Sequence, residues 1–133
     1  MLMRAMVVAV PTALLWGGAW QGPLHAQAGA ALPSEVTPSM VQEGATIFLG
    51  AGSCFACHGP DGTGRVGPNL TDQVWLHSSG SYEEIVQQIK TGVPMKQSKT
   101  GVMMPPRGGS SISDPQVQAV AAYVWTLSHP PAK

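Results

Sequence analysis

The stretch "SCFACHGPDG", residues 53–62, contains the only two cysteines of this 133-residue chain. Cys54 and Cys57 are three positions apart, and His58 follows the second cysteine directly. One turn of helix brings side chains at this spacing to the same side of the backbone. The motif therefore predicts a site that holds a metal ion, a redox-active disulfide or a covalently attached cofactor.

These three chemistries make different demands on the rest of the sequence. A structural zinc site needs four ligands, and the chain has neither a further cysteine nor an H-x-x-x-H pair. A thioredoxin-type dithiol needs a strand before the motif, and no strand pattern precedes Cys54. Covalent haem needs this spacing, because Cys54 and Cys57 can bond its two vinyl groups while His58 ligates the iron. We therefore expect one haem c, attached through two thioethers.

The N-terminus, residues 1–28, has the pattern of a secretory signal peptide. A single positive charge at Arg4 precedes an apolar run, and small residues at A-x-A spacing then predict cleavage between Ala28 and Gly29. The apolar run is interrupted by Pro11 and two glycines, and it is shorter than the roughly 20 residues that span a bilayer. We expect an exported, soluble, periplasmic protein without stable membrane insertion. The alternative is a retained anchor if this segment is not cleaved.

The mature chain is predicted to be a flexible leader, residues 29–38, followed by one domain, residues 39–133. Capping signals predict helices that begin at Thr37 or Ser39, at Ser81 and at Ser113. Apolar residues recur at helical spacing after each of these signals, and no segment alternates clearly enough to require a strand. The predicted fold class is therefore all-α, with three to four helices.

Two long segments rich in glycine and proline connect these helices, residues 59–72 and 91–111. Loops of this length are unusual in so small a domain unless they enclose something. A buried porphyrin would supply the apolar core that these loops lack, so that the cofactor becomes part of the folding energy.

A second axial ligand to the iron is expected from the loop before the last helix. Met104 is the favoured candidate, because Pro105 and Pro106 stiffen the chain directly after it. Met103 is the alternative. The other candidate ligands in the mature chain are Met40, Met95, His77 and His129, and the two histidines are expected to lie on the surface.

The segment "CFACHGPDGTGRVGPNL", the M-P-P sequence and the final "AAYVWTLS" resemble a bacterial periplasmic class I c-type cytochrome. The resemblance covers essentially the whole mature chain. It implies the cytochrome c fold, with its helices wrapped around one haem whose edge is exposed. It also implies that Gly44 and Phe48 cross Tyr123 where the first and last helices meet. In such proteins the carbonyl of a proline, here Pro68, accepts the proton of the haem histidine.

Charge is distributed unevenly along the mature chain. Residues 29–89 carry six acidic side chains against one arginine, whereas residues 90–133 carry five basic side chains against one aspartate. The second half therefore predicts steering toward an acidic surface on a redox partner through Lys90, Lys96, Lys99 and Arg107. With acidic and basic residues in equal number, a nucleic-acid partner is not expected. Arg65 and Trp75 are candidates to lie near the haem carboxylates, or else are a solvated cation and a core aromatic.

The resulting functional prediction is a one-electron carrier and not an enzyme. A subunit of a periplasmic dehydrogenase or terminal oxidase is the first alternative, which changes the partners and not the chemistry. The protein would accordingly be a monomer or an enzyme subunit. A haem protein whose sixth position is open to a small ligand is a further alternative.

Overall fold

The computed structural model describes residues 30–130, so the predicted signal peptide lies outside the described residues. Within this range the chain forms four α-helices and no strand, which confirms the all-α prediction. The helices are α1 (Pro38–Leu49), α2 (Phe55–His58), α3 (Tyr82–Thr91) and α4 (Asp114–Ser128), and 3₁₀ turns occupy Met95–Gln97 and Pro106–Gly109. None of the helices described between residues 30 and 130 combines the length and the apolar composition needed to cross a membrane.

Helix α1 begins at the first of its two predicted capping signals. The Thr37 hydroxyl accepts a hydrogen bond from the Met40 N–H at 3.3 Å, and Pro38 occupies the first helical position. The alternative start at Ser39 is wrong, because Ser39 already lies inside the helix. Proline is favoured at the first position, where its missing N–H would have had no helical partner.

Helices α3 and α4 also begin where their capping residues predict. The Ser81 hydroxyl accepts from the Glu84 N–H at 3.3 Å, but the Glu84 carboxylate accepts from Ser79 and not from Ser81. Only half of the predicted capping box is therefore made at α3. At α4 the Gln116 side-chain oxygen accepts from the Ser113 N–H at 2.9 Å. Helix α4 ends at Ser128, before the two prolines.

Helices α1 and α4 pack closely against each other at Gly44. A Cβ atom on Gly44 would collide with the Ala119 carbonyl oxygen and with Cβ of Tyr123, so only glycine allows this approach. Phe48 is completely buried, and its ring meets the Tyr123 ring edge-on with centroids 5.3 Å apart. The crossing of Gly44, Phe48 and Tyr123 that the family resemblance implies is therefore present.

The end of the segment predicted to be a flexible leader belongs to the packed core. Val36 is buried in the main hydrophobic cluster, and Leu32 packs against that cluster. A turn closed by the Val36 N–H and the Pro33 carbonyl directs the chain into α1. The segment is predicted to be flexible from its composition. Composition does not show that the apolar side chains of Leu32 and Val36 can pack against the core, and this explains the difference between prediction and structure.

We predict that Gly44→Ala lowers the free energy of unfolding by about 1–3 kcal/mol, because the added methyl group overpacks the crossing of α1 and α4. At an exposed helical position the same change would stabilise the protein by about 0.5–1 kcal/mol. Chemical denaturation of both proteins measures the difference. Glu43→Ala, at the exposed neighbouring position, is the control and should change stability by less than about 0.5 kcal/mol. An unfolding midpoint for Gly44→Ala at or above that of the wild type would contradict the close packing.

Candidate cofactor site

The cysteine motif forms a single helical turn. Cys54 is the residue before α2, and its carbonyl accepts from the N–H groups of Cys57 at 3.2 Å and of His58 at 3.0 Å. Ser53 before this turn has a left-handed backbone, with φ of 52°, and Gly59 after it has φ of 80°. These two bends isolate the turn from its neighbours, so that the two thiols and the imidazole are presented together.

The imidazole of His58 is held in place by the loop that follows it. Its Nδ1 lies 2.9 Å from the Pro68 carbonyl oxygen, a bond in which Nδ1–H donates and the lone pair of Nε2 stays free to bind a metal. Burial lowers the pKa of His58, although the bond to Pro68 opposes this shift. The ring is therefore neutral at pH 7, which is the form that ligates metals.

His58 lines a cleft with an empty volume of about 690 Å³, including its open mouth. An inner apolar cavity of about 460 Å³ adjoins this cleft. The residues that line both spaces are Cys54, His58, Gln88, Met104 and Gly108. Pro68, Cys57 and Met103 line the outer cleft only.

The methionines differ in how they are placed relative to these cavities. Met104 packs against the hydrophobic core and lines both spaces, and its backbone exchanges two hydrogen bonds with Val93, at 2.8 and 3.0 Å. Met103 is 49% exposed and lines only the outer cleft. Met95 is 55% exposed and lines neither space. The structure thus gives Met104 the fixed, inward position that a ligand requires.

The cleft contains a buried polar side-chain atom for which the described residues supply no partner. The side-chain oxygen of Gln88 is buried and makes no hydrogen bond within the described residues. Buried polar groups are nearly always satisfied, so an unpaired one at a cavity indicates a missing partner. The partner missing at this oxygen is a donor, which the ionised carboxylates of a haem do not supply, so this atom does not by itself indicate a haem. What suits the large apolar ring of a haem is the apolar lining, together with the two thiols and the imidazole. The residues present therefore fit this group.

The two alternative chemistries of the motif find less support. Burial raises the pKa of the Cys54 thiol to about 11, whereas a redox-active dithiol needs a thiol that ionises easily. Within residues 30–130, no three His, Cys, Asp or Glu side chains lie close enough together to hold a metal ion. This disfavours a structural zinc site, which needs four protein ligands.

The structure also places the other residues that the sequence singles out. His77 is half-buried and lines the outer cleft, where its Nε2 accepts from the Lys99 N–H at 3.1 Å. Arg65 is exposed and lines neither cavity, whereas Trp75 lines the inner one. His129 stacks on Trp125, with ring centroids 4.1 Å apart.

Gln88 is the cavity residue that sequence reasoning missed. It follows Ile85 by three positions and precedes Ile89, and both isoleucines are buried. A polar side chain on the apolar face of a helix is a signal that could have indicated it, because such residues normally need a buried partner.

Two of the four cations predicted to steer a partner are engaged within the molecule. Lys90 lies 2.8 Å from the Asp114 carboxylate, and Arg107 pairs with its other oxygen. Lys96 and Lys99 are exposed, and the described residues give neither an ion pair. The positive surface near the cleft therefore consists mainly of these two lysines.

Comparisons with known proteins identify relatives of this chain. The family model described as "Cytochrome C oxidase, cbb3-type, subunit III" matches residues 39–124. The cbb3-type cytochrome c oxidase subunit CcoP of Rubrivivax gelatinosus is 41% identical over 81 residues, which are 56% of this chain and 23% of that protein. Subunit CcoP of Cereibacter sphaeroides is 42% identical over 88 residues, covering 64% of this chain and 27% of its own length. The chain spans about a quarter of the length of these two relatives.

Two solved structures share the fold. Cytochrome cL from Methylophaga aminisulfidivorans superposes with a TM-score of 0.53 at 21% identity, over 67% of this chain and 53% of its own. Cytochrome cL from Hyphomicrobium denitrificans gives a TM-score of 0.50 at 26% identity, over 64% and 45%. The described residues therefore adopt the cytochrome c fold.

We predict that Gly67→Ala displaces His58, because a Cβ atom at this position would lie 3.0–3.3 Å from three atoms of the imidazole ring. The expected result is a loss of stability of about 1–3 kcal/mol together with a changed visible absorption spectrum. Thermal unfolding and absorption of the purified protein measure both effects. Val66→Ala, at the exposed preceding residue, should change neither. A normal spectrum in Gly67→Ala would show that the ring does not depend on this contact.

Proposed function

Since the chain belongs to the family described as cytochrome c oxidase, cbb3-type, subunit III, we propose that it is a periplasmic one-electron carrier with a single haem c. In this proposal Cys54 and Cys57 form the two thioethers, and His58 and Met104 are the axial ligands. The observation that supports it most is that all four residues line one cleft. Met103 is the alternative ligand, and its exposed side chain makes it the weaker candidate.

When bound, haem c supplies a reversible Fe(III)/Fe(II) couple. The protein's part is to hold its ligands still, and the Pro68 carbonyl does so for His58 by fixing the tautomer and raising the basicity of Nε2. The thioether of Met104 donates less charge than a second imidazole, which favours the reduced state and a relatively high potential. With His58 and Met104 both bound to the iron, no coordination position would be left for a substrate, and electron transfer is the function that such an arrangement would serve.

The mouth of the cleft is the surface proposed to meet the redox partner. Val102 and Met103 line the outer cleft and are 40% and 49% exposed. The exposed Lys96 and Lys99 belong to the same loop. An apolar contact surface with positive charges beside it is suited to short-lived binding of a redox partner that has an acidic surface. Lys90 and Arg107 contribute less than the sequence predicts, because Asp114 compensates part of their charge.

A terminal oxidase is the partner that the comparisons favour over a dehydrogenase. The relatives reported above are named as subunits of cbb3-type cytochrome c oxidases. We therefore propose that this chain exchanges electrons with such an oxidase, either as a separate carrier or as a stably bound subunit. Purification from membranes solubilised in mild detergent tests the difference, since a subunit would copurify with oxidase activity and a free carrier would remain in the soluble fraction.

We predict that Met104→Ala removes the sulfur-to-iron absorption of the oxidised protein. It should also lower the reduction potential, by on the order of 100 mV within the range of about 0.8 V that axial ligands span. The reduced variant should bind carbon monoxide, which the wild type should not bind. Met103→Ala is the matched control and should retain the absorption and the potential. Carbon monoxide binding by the wild-type protein would instead favour a haem site with an open sixth position.

We predict that Lys96→Gln combined with Lys99→Gln slows electron transfer to an acidic redox partner by about tenfold at low ionic strength, because long-range attraction is reduced. Stopped-flow mixing over a tenfold range of salt measures the rate. The difference from the wild type should disappear at high salt, where such attraction is screened. Arg65→Gln is the control, because it removes an exposed cation that lines neither cavity, and it should change the electron-transfer rate little. Equal rates in both variants at low salt would contradict steering by this loop.

A further inference from the structure

We propose that Asp114 and Arg107 form a clamp that positions Met104, since the Asp114 carboxylate joins Lys90 on α3 to Arg107, which follows Met104 by three residues. The proposal rests on Met104 being the axial ligand, as proposed above. Asp114 and Arg107 are positioning residues, because neither lines the cavities in which Met104 lies. The proposed effect of Asp114 and Arg107 is to keep the thioether sulfur of Met104 at the position from which it would bind the iron.

The carboxylate of Asp114 uses both of its oxygens. One accepts from Nζ of Lys90 at 2.8 Å and the other accepts from Nη2 of Arg107. The second guanidinium nitrogen, Nη1, donates to the Ile112 carbonyl, which orients the Arg107 side chain further. These bonds lower the pKa of Asp114, first through Lys90 and then through Arg107, so the clamp is fully charged at neutral pH. A planar guanidinium bonded at two nitrogens is held in direction as well as in distance.

The backbone at Arg107 adopts a conformation that a non-glycine residue rarely takes. Its φ is 53° and its ψ is 29°, and Gly108 and Gly109 continue in the left-handed region with φ of 65° and 78°. Glycine would be the expected residue at all three positions. The arginine at the first of them therefore opposes the local backbone preference, and its bonds to Asp114 and Ile112 compensate for this cost.

The left-handed turn brings the ligand loop against the cysteine motif. Gly108 lines both cavities, and a Cβ atom there would lie 2.9 Å from the Gly52 carbonyl oxygen, two residues before Cys54. A change in the turn at Arg107 would therefore move the wall of the cofactor site.

The segment around Met104 is consequently held at two points, by the residues directly after α3 and by Lys90 in its last turn. Its backbone pairs with Val93, and Gly92 lacks a side chain where a Cβ would collide with the Met104 carbonyl. The clamp then fixes the chain three residues later through Lys90. The first attachment sets the position of the Met104 backbone, and the second prevents the segment that follows from swinging away. A ligand loop attached at one point only would release its sulfur more often.

The test is the rate at which imidazole displaces the methionine from the oxidised holoprotein. Imidazole is a suitable probe because its neutral form is not attracted or repelled by a change in protein charge. We expect Asp114→Asn to raise the displacement rate on the order of fivefold, the effect of losing a partly exposed ion pair. Arg107→Asn should raise it equally, since asparagine tolerates the left-handed backbone and only the guanidinium is lost. The double variant should be no faster than either single one, because both changes remove the same interaction.

Two controls separate the clamp from general destabilisation. Glu43→Gln removes one negative charge from the exposed face of α1 and should leave the rate unchanged. Thermal unfolding of every variant is measured alongside, and a displacement rate that rises in proportion to lost global stability, with additive effects in the double variant, would overturn the proposal. Unchanged rates in both clamp variants would also overturn it.

The ligand assignment is tested separately with Met104→Ala. If that variant retains the sulfur-to-iron absorption, Met104 is not the ligand and the premise of the clamp is overturned. If Met104→Ala loses the absorption but both clamp variants show the wild-type displacement rate, only the clamp is overturned. The proposal of electron transfer at a site formed by His58 and Met104 then stands.

Discussion

The close approach of α1 and α4 at Gly44 is the contact on which the rest of the molecule depends. Helix α1 leads directly into the cysteine motif, and α4 follows the loop that carries Met104. Once Ala119 lies against Gly44, the ends of both helices are fixed, and so are the starting points of the two glycine- and proline-rich loops. Without this contact the loops would have no common frame in which His58 and Met104 could face one cavity.

The two loops are then held by different kinds of bond. The first is attached to the cysteine motif by uncharged bonds, from the His58 imidazole to the Pro68 carbonyl and from the N–H groups of Gly64 and Gly67 to the His58 and Cys57 carbonyls. The second is attached through its backbone to Val93 and through charged groups to Asp114. The uncharged bond of the His58 imidazole lies at the cavity, where a buried charge would be costly. The ionic bonds of Asp114 lie at the partly exposed surface of the protein. Burial thus explains which chemistry is used at each place.

Local signals predicted the helix starts well. Thr37, Ser81 and Ser113 each cap a helix because a short polar side chain before a helix can reach its free N–H groups. The Glu84 carboxylate departs from its predicted role, because the bend before α3 brings the Ser79 N–H within its reach. Val36, in the segment predicted to be flexible, is instead buried, since local composition does not show whether a neighbouring segment will cover a side chain.

The sequence by itself determined the chemistry that is proposed for this protein. The spacing of Cys54, Cys57 and His58, and the prolines after Met104, indicate a haem site because these relations are local and need no knowledge of the fold. Only the tertiary structure decided that Gln88 faces the cavity with an unpaired oxygen and that Asp114 joins Lys90 to Arg107. The ion pairs of Asp114 and the cavity that Gln88 faces are formed by residues far apart in the chain. Both exist only after α3 and α4 have packed against each other.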